Sequence, residues 1–349
     1  MLAGSRGKPR FPRAFMNPPR LRTPPVEYTD MTLGLIAFGA LTIVLGAVVF
    51  LFGVLLLLAA KPMAQASGMP VNWGQTFSNT VVFSGTGATL MLLGFGSIRR
   101  RRWARILMGI VSWTWLICAG LIVGVLFAFL KDIAGALGAM TSNGANQHMA
   151  VTMIYVQLFR MLVVITPVLL GIPLVWVWFY SSRSVRLTCE SADTGGGWTD
   201  RCPPSVLTVS LGLALSVPFL ILGALTHHGM MPFFGIQLSG FIGGLVAFLL
   251  AGVWAYCAWA VYSLRSDGWW ITTVSFVLVF LSSWLTWRSG NLDAIFASSG
   301  VPAEQLEKVR PMLQSLQPML LWLLLLFQVP ILGSMLWIRG HFFSRDSQT

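Results

Sequence analysis

The chain has four cysteines and four histidines, the residue types with which it could ligate a metal or do thiol chemistry. Cys189 and Cys202 stand in one polar stretch, and His341 is remote in the chain. A structural zinc site wants four ligands, usually in close pairs, and this set does not supply them. Both thiols therefore read as free cysteines of a structured loop on a reducing side. Cys118 and Cys257 lie inside apolar runs and read as small packing residues. His227 and His228 end one apolar run and His148 precedes another. Haem held across a bundle needs histidines in the core on different helices. No cofactor and no metal is expected.

Motifs for catalysis fail in turn. There is no Walker loop, no HExxH and no Gly-x-Ser-x-Gly elbow; Gly94-Phe95-Gly96-Ser97 closes an apolar run instead of following a strand. No acidic residue falls inside an apolar run, which disfavours ion coupling through a buried carboxylate. Polar groups in apolar surroundings are few: Gln157 with Arg160 one turn later, and Gln328 beside Pro330. Arg160 is explained by snorkelling to the membrane edge. Pro167, Pro173 and Pro330 could break helices around a cavity, as in transporters. Membrane helices are also richer in proline than soluble ones. Pro167, Pro173, Pro330, Gln157, Arg160 and Gln328 are thus the candidate cavity or hinge residues.

The elements that carry these residues follow from composition. The chain is 56% hydrophobic and 10% charged, where a soluble domain carries roughly 25% charged residues. Met31 to Ala60 contains no charge, and a bilayer core needs about 20 such residues of helix. The spans read as 31–60, 79–98, 106–130, 154–180, 204–226, 236–263, 269–287 and 318–338. The expected fold is all-α, a polytopic transmembrane bundle of eight helices. Met63-Ala64-Gln65-Ala66 resembles a cleavage site, yet the apolar run before it is too long for a signal core and reads as an uncleaved anchor.

Loop charge orients the bundle. With a cytoplasmic N-terminus, seventeen of the 23 Lys and Arg residues fall on the inner side and six on the outer. Trp103, Trp269 and Trp337 then mark inner interfaces, and Trp73, Trp284 and Trp287 outer ones. Both termini are expected in the cytoplasm, with a bacterial cytoplasmic membrane as the location. The net charge of +12 is spent in loops that meet anionic lipid, and no basic, aromatic-lined soluble face for nucleic acid is present.

Loop lengths repeat. The short turns Arg99–Arg105 and Leu264–Trp270 occupy matching places, and each half ends in a proline-containing span that stops at an arginine. This predicts two tandem four-helix repeats in the same orientation, 31–183 and 204–339, joined by a linker 184–203. A basic disordered tail 1–30 precedes them and a tail 340–349 follows. Small residues predict close helix seams at Gly39, Gly46 and Gly53, at Gly120, Gly124 and Ala128, and at Gly240, Gly244, Ala247 and Ala251. Residues 302–317 predict an amphipathic helix on the outer surface or against a neighbour. The favoured function is a non-enzymatic membrane subunit or scaffold, contacting a membrane-protein partner or a second copy. The alternative is a carrier or channel for a small or lipophilic solute at proline-interrupted spans four and eight.

Overall fold

The computed structural model describes residues 29–67, 71, 73–141, 147–195, 197–289 and 303–343. Among them, eight helices are long and apolar enough to cross a membrane. These are α1 (Thr32–Ser67), α2 (Trp73–Ile98), α3 (Arg102–Ala128), α5 (Gln147–Ser181), α7 (Pro204–Thr226), α8 (Gly240–Tyr262), α9 (Ser266–Arg288) and α10 (Ala303–Ile338). Shorter helices are α4 (Leu130–Thr141), α6 (Arg183–Ala192) and α11 (Gly340–Phe343), with a 3-10 turn at Trp198–Asp200. The protein is an all-α polytopic bundle, because in hydrocarbon only a helix satisfies its own backbone. Most of the basic tail, the loop containing Asp293 and the chain after Phe343 lie outside the described residues.

The short turns Arg99–Arg101 and Ser263–Arg265, the start of α1 and the end of α10 share one end of the bundle, called here the basic end. At the opposite end the chain departs from expectation. Span six does not begin at residue 236, because Met231–Phe233 (β1) and Ile236–Leu238 (β2) pair as an antiparallel hairpin. Its two loop residues, Phe234 and Gly235, both have positive φ (43° and 97°), the backbone of a type I′ turn. Ser282 on α9 fastens it, accepting from Phe234 N at 3.0 Å and donating to Pro232 O at 2.9 Å.

Three helices overshoot the bilayer. α1, α5 and α10 have 36, 35 and 36 residues, hence lengths above 50 Å at about 1.5 Å per residue, against a hydrocarbon core of about 30 Å. The expected surface helix at 302–317 is not a separate element but the first half of α10, continuous with span eight. α10 packs on α4, which packs on α5. Pro167 and Pro173 lie within α5 and Pro330 within α10, and neither helix is interrupted at them.

Helices pair in the same order in both halves: α1 with α2 and α3 with α5, then α7 with α8 and α9 with α10. The buried positions agree in spacing. Leu35, Gly39, Thr42 and Gly53 of α1 correspond to Val206, Ser210, Leu213 and Ala224 of α7. Gly87, Leu93, Gly94, Gly96 and Ser97 of α2 correspond to Ala251, Cys257, Ala258, Ala260 and Val261 of α8. The connecting turns share one hydrogen-bond pattern. Arg100 N bonds Ser97 O and Arg101 N bonds Gly96 O; Leu264 N bonds Val261 O and Arg265 N bonds Ala260 O. Arg100 and Leu264 are both left-handed, at φ 54° and 55°.

The α1–α2 seam brings two helix backbones into direct contact. A Cβ on Gly87 would lie 2.5 Å from Gly46 O, and one on Gly94 2.6 Å from Gly39 O. Gly39, Gly46 and Gly53 therefore pack as the sequence predicts. Gly120, Gly124 and Ala128 do not: they are exposed, with nothing within 4 Å of a Cβ at either glycine. In the α8 set, Ala247 and Ala251 are buried, but a Cβ at Gly240 meets nothing. Gly243 instead makes the close approach there, against the backbone of Gly229. Two side-chain clusters flank these seams. One is built on Leu35, Leu93, Met108, Trp176, Tyr180 and Val185, the other on Val206, Leu207, Leu213, Val261, Trp269 and Met335.

Candidate functional site at the basic end

The stretch between the halves is folded, and it is pinned at several points. After α5 the chain breaks at Ser182, whose side chain accepts from Val185 N and caps α6. Thr188 on α6 accepts from Met31 N at 3.2 Å, which ties α6 to the start of α1. Arg102 donates to Glu190 O at 3.1 Å, Asp193 accepts from Arg102 N at 3.3 Å, and the Arg101 guanidinium sits 3.6 Å from the Asp193 carboxylate. Further on, Asp200 accepts from Gly197 N at 2.8 Å and closes the 3-10 turn. Tyr262 at the end of α8 donates to Trp198 O at 2.8 Å. The segment forms a collar that joins the first helical group to the second.

Beneath this collar lies a cleft of about 1000 Å³. Its walls come from α3, the last residues of α5, α6, the 3-10 turn, α7 and the end of α10. The rim is ionic, with Arg105, Arg186 and Arg201 against Glu190 and Asp200. Arg186 pairs with Glu190 at 2.8 Å across one helical turn. The inner wall is apolar: Ile106, Ile110, Trp113 and Ile117 recur at helical spacing along one face of α3, opposite Trp337 and Ile338. Two polar atoms stand out there. Thr199 is 1% exposed and its Oγ1 has no hydrogen-bond partner, and the buried Nε of Arg105 has none either. Buried donors are nearly always paired in native proteins, so each one left over asks for an explanation.

Cys189 and Cys202 are both free and buried. Burial pushes the Cys189 thiol up to about 11, against the pull of Arg105, and burial likewise raises Cys202, which lines the cleft. Such thiols are poor nucleophiles near neutral pH. Among the described residues no group of three or more His, Cys, Asp or Glu side chains could hold a metal.

None of the six residues selected from the sequence lines this cleft. Gln157 and Arg160 are exposed on α5, about one hydrocarbon thickness from its basic end, where a snorkelling arginine belongs. Pro167 is exposed and Pro173 buried on the same helix. Gln328 is buried and donates to Phe276 O at 3.3 Å, joining α10 to α9, with Pro330 half-buried beyond it. Sequence reasoning missed Arg105, Thr199 and Trp113. A signal did exist, since Arg105 steps into the span one turn after Arg101 and opens the apolar stripe of α3. Thr199, from the collar, gave none.

No protein-family model, no curated protein and no solved structure matches this chain.

Proposed function

We propose that this multi-pass membrane protein works without catalysing a reaction, by holding a lipophilic ligand in the cleft at its basic end. The observation that carries this is the union, in one cavity, of a cationic rim with an apolar wall along α3. A pocket of a few hundred to 1000 Å³, mostly apolar with a few placed polar groups, is the common form of a small-molecule site. The basic end faces the cytoplasm of a bacterial cell, with both termini there, supported by the excess of seventeen basic residues over six. The bundle is two tandem repeats in one orientation, supported by the matched pairing, burial spacing and turns of the two halves. A subunit role has its own support in the collar, a pinned, arginine-bearing platform that suits a membrane-protein partner or a second copy.

The ligand is tested by extraction. Protein purified in mild detergent is expected to carry a stoichiometric amphiphile that Gly109→Leu displaces. Gly109 lines the cleft, and a Cβ there meets nothing within 4 Å, so the larger side chain fills space without a backbone clash. Equal recovery from both proteins would remove the cleft as the binding site. Orientation is tested by a cysteine in place of Arg100: an impermeant maleimide should reach it in opened membranes and not in intact cells. Labelling of intact cells would reverse the topology.

A further inference from the structure

The geometry points to a single anionic phospholipid of the basic-end leaflet as the ligand, its phosphate held by Arg105, Arg201 and Thr199 and one chain lying along α3; this rests on the cleft being a binding site, as proposed above. Charge comes first. Glu190 already pairs with Arg186, and Asp200 already accepts from Gly197 N. Arg105 and Arg201 form no ion pair among the described residues. The rim holds three guanidinium groups against two carboxylates, a net charge of +1, and the planar fork of guanidinium donors matches phosphate oxygens.

Hydrogen bonding points the same way. The Arg105 Nε and the Thr199 Oγ1 are buried and unpartnered on the wall of one cavity. Phosphate oxygens accept from both a guanidinium and a hydroxyl, whereas a neutral apolar ligand would leave each at full desolvation cost. The other half of the bundle gives an internal control. Trp269 occupies the place after the second turn that Arg105 occupies after the first, and it is plugged: its indole N–H donates to Met335 O at 2.8 Å and the side chain is 4% exposed. The equivalent space is filled by protein in one half and left as an arginine-lined cleft in the other.

Length selects a lipid over a compact anion. From Arg105 to Ile117 the apolar face of α3 runs for roughly 18 Å at about 1.5 Å per residue, close to one leaflet of a bilayer core about 30 Å thick. Entry is lateral, because the apolar wall is open on its outer side: Trp113 and Trp337 line the cleft and are still 51% and 81% exposed, where lipid surrounds the bundle. An amphiphile reaching the cleft from the membrane plane would keep its phosphate at the arginine level and its chain in hydrocarbon throughout.

The test uses the full chain in detergent micelles, titrated with phosphatidylglycerol, diacylglycerol (the same chains without the phosphate) or sodium phosphate and followed by native mass spectrometry and thermal unfolding. Phosphatidylglycerol is expected to bind about tenfold more tightly than diacylglycerol, the size of one charged hydrogen bond. Arg105→Gln and Thr199→Val should each erase that preference. Should Arg105→Gln fail to fold, Arg201→Gln on the exposed rim carries the same expectation. Equal affinity for the two lipids, or a preference that survives these substitutions, overturns the inference. Protection by sodium phosphate equal to that by phosphatidylglycerol overturns it in favour of a free anion. Gly109→Leu separates the levels: if it abolishes binding of both lipids where no preference exists, the cleft stands and only the headgroup assignment falls.

Discussion

The α1–α2 and α7–α8 pairs solve one packing problem with different residues. At matching places, Gly39 faces Gly94 in the first pair and Ser210 faces Ala258 in the second. The first contact is backbone on backbone, with a Cβ on Gly39 falling 2.8 Å from Gly94 O. The second is a hydrogen bond, Ser210 Oγ donating to Ala258 O at 2.8 Å. Lipid gives no hydrophobic drive for helix association, so close van der Waals approach and interhelical hydrogen bonds are the two available means. Each half relies on one of them here. The two pairs share the spacing of buried positions and differ in the residues that fill it.

The sharpest way to break this comparison is at the glycine seam. Gly94→Leu would set a Cβ 2.6 Å from Gly39 O and 3.0 Å from Ile43 N, both backbone atoms that cannot swing aside. Overpacking costs about 1–3 kcal/mol where side chains can adjust and more where they cannot. Loss of monodisperse protein in size-exclusion chromatography is the expected outcome. A Gly94→Leu protein that eluted and melted like the parent would show that α1 and α2 are not in close contact. The hydroxyl seam should yield less. Ser210→Ala removes one bond and leaves Ala258 O still bonded within its helix. The expected loss is about 0.6 kcal/mol, the average for such interhelical bonds, and at most about 1.7, read as a lowered midpoint in thermal unfolding. An unchanged midpoint would mean that small size at this position, not the bond, makes the α7–α8 contact.

The same contrast separates what was legible in the sequence from what was not. The eight spans were readable because hydrocarbon admits few charges and demands length, both visible in one dimension. Gly39, Gly46 and Gly53 were readable as a seam because they repeat on one face. Gly120 and Gly124 repeat as regularly, yet they face outward, since spacing gives the face and not what lies opposite. The hairpin was hidden because Phe234-Gly235 carries little of the polar signal expected of an Asn-Gly turn, so its strands merged with the apolar run that follows. The cleft was hidden for a different reason. Arg105, Thr199 and Trp337 come from α3, the collar and α10, and their convergence belongs to the tertiary fold alone. Proline drew attention to α5 and α10 instead, but both helices run on through it.

The smallest effect tests whether the two turns are the same structure. Arg100 and Leu264 sit in left-handed backbone at nearly equal φ, a conformation that costs a residue with a Cβ about 1–2 kcal/mol. Glycine pays more entropy on folding, which returns roughly half of that gain. Arg100→Gly also gives up an exposed 3.4 Å contact from its guanidinium to Thr32 Oγ1, too long and too wet to matter. The net expectation is a stabilisation of about 0.5 kcal/mol, seen as a small rise in the unfolding midpoint. Leu264→Gly has the same backbone gain, but Leu264 is half-buried against the second cluster, so its rise should be cancelled or reversed by lost packing. Leu264 can be matched to Arg100 by taking Leu264→Ala as its reference, which removes the packing term before glycine is introduced. Equal gains from Arg100→Gly, and from Leu264→Gly relative to Leu264→Ala, would establish that both halves turn on the same strained residue. A destabilised Arg100→Gly would mean that side-chain contacts hold the first turn, and the likeness of the two would then be one of shape without shared energetics.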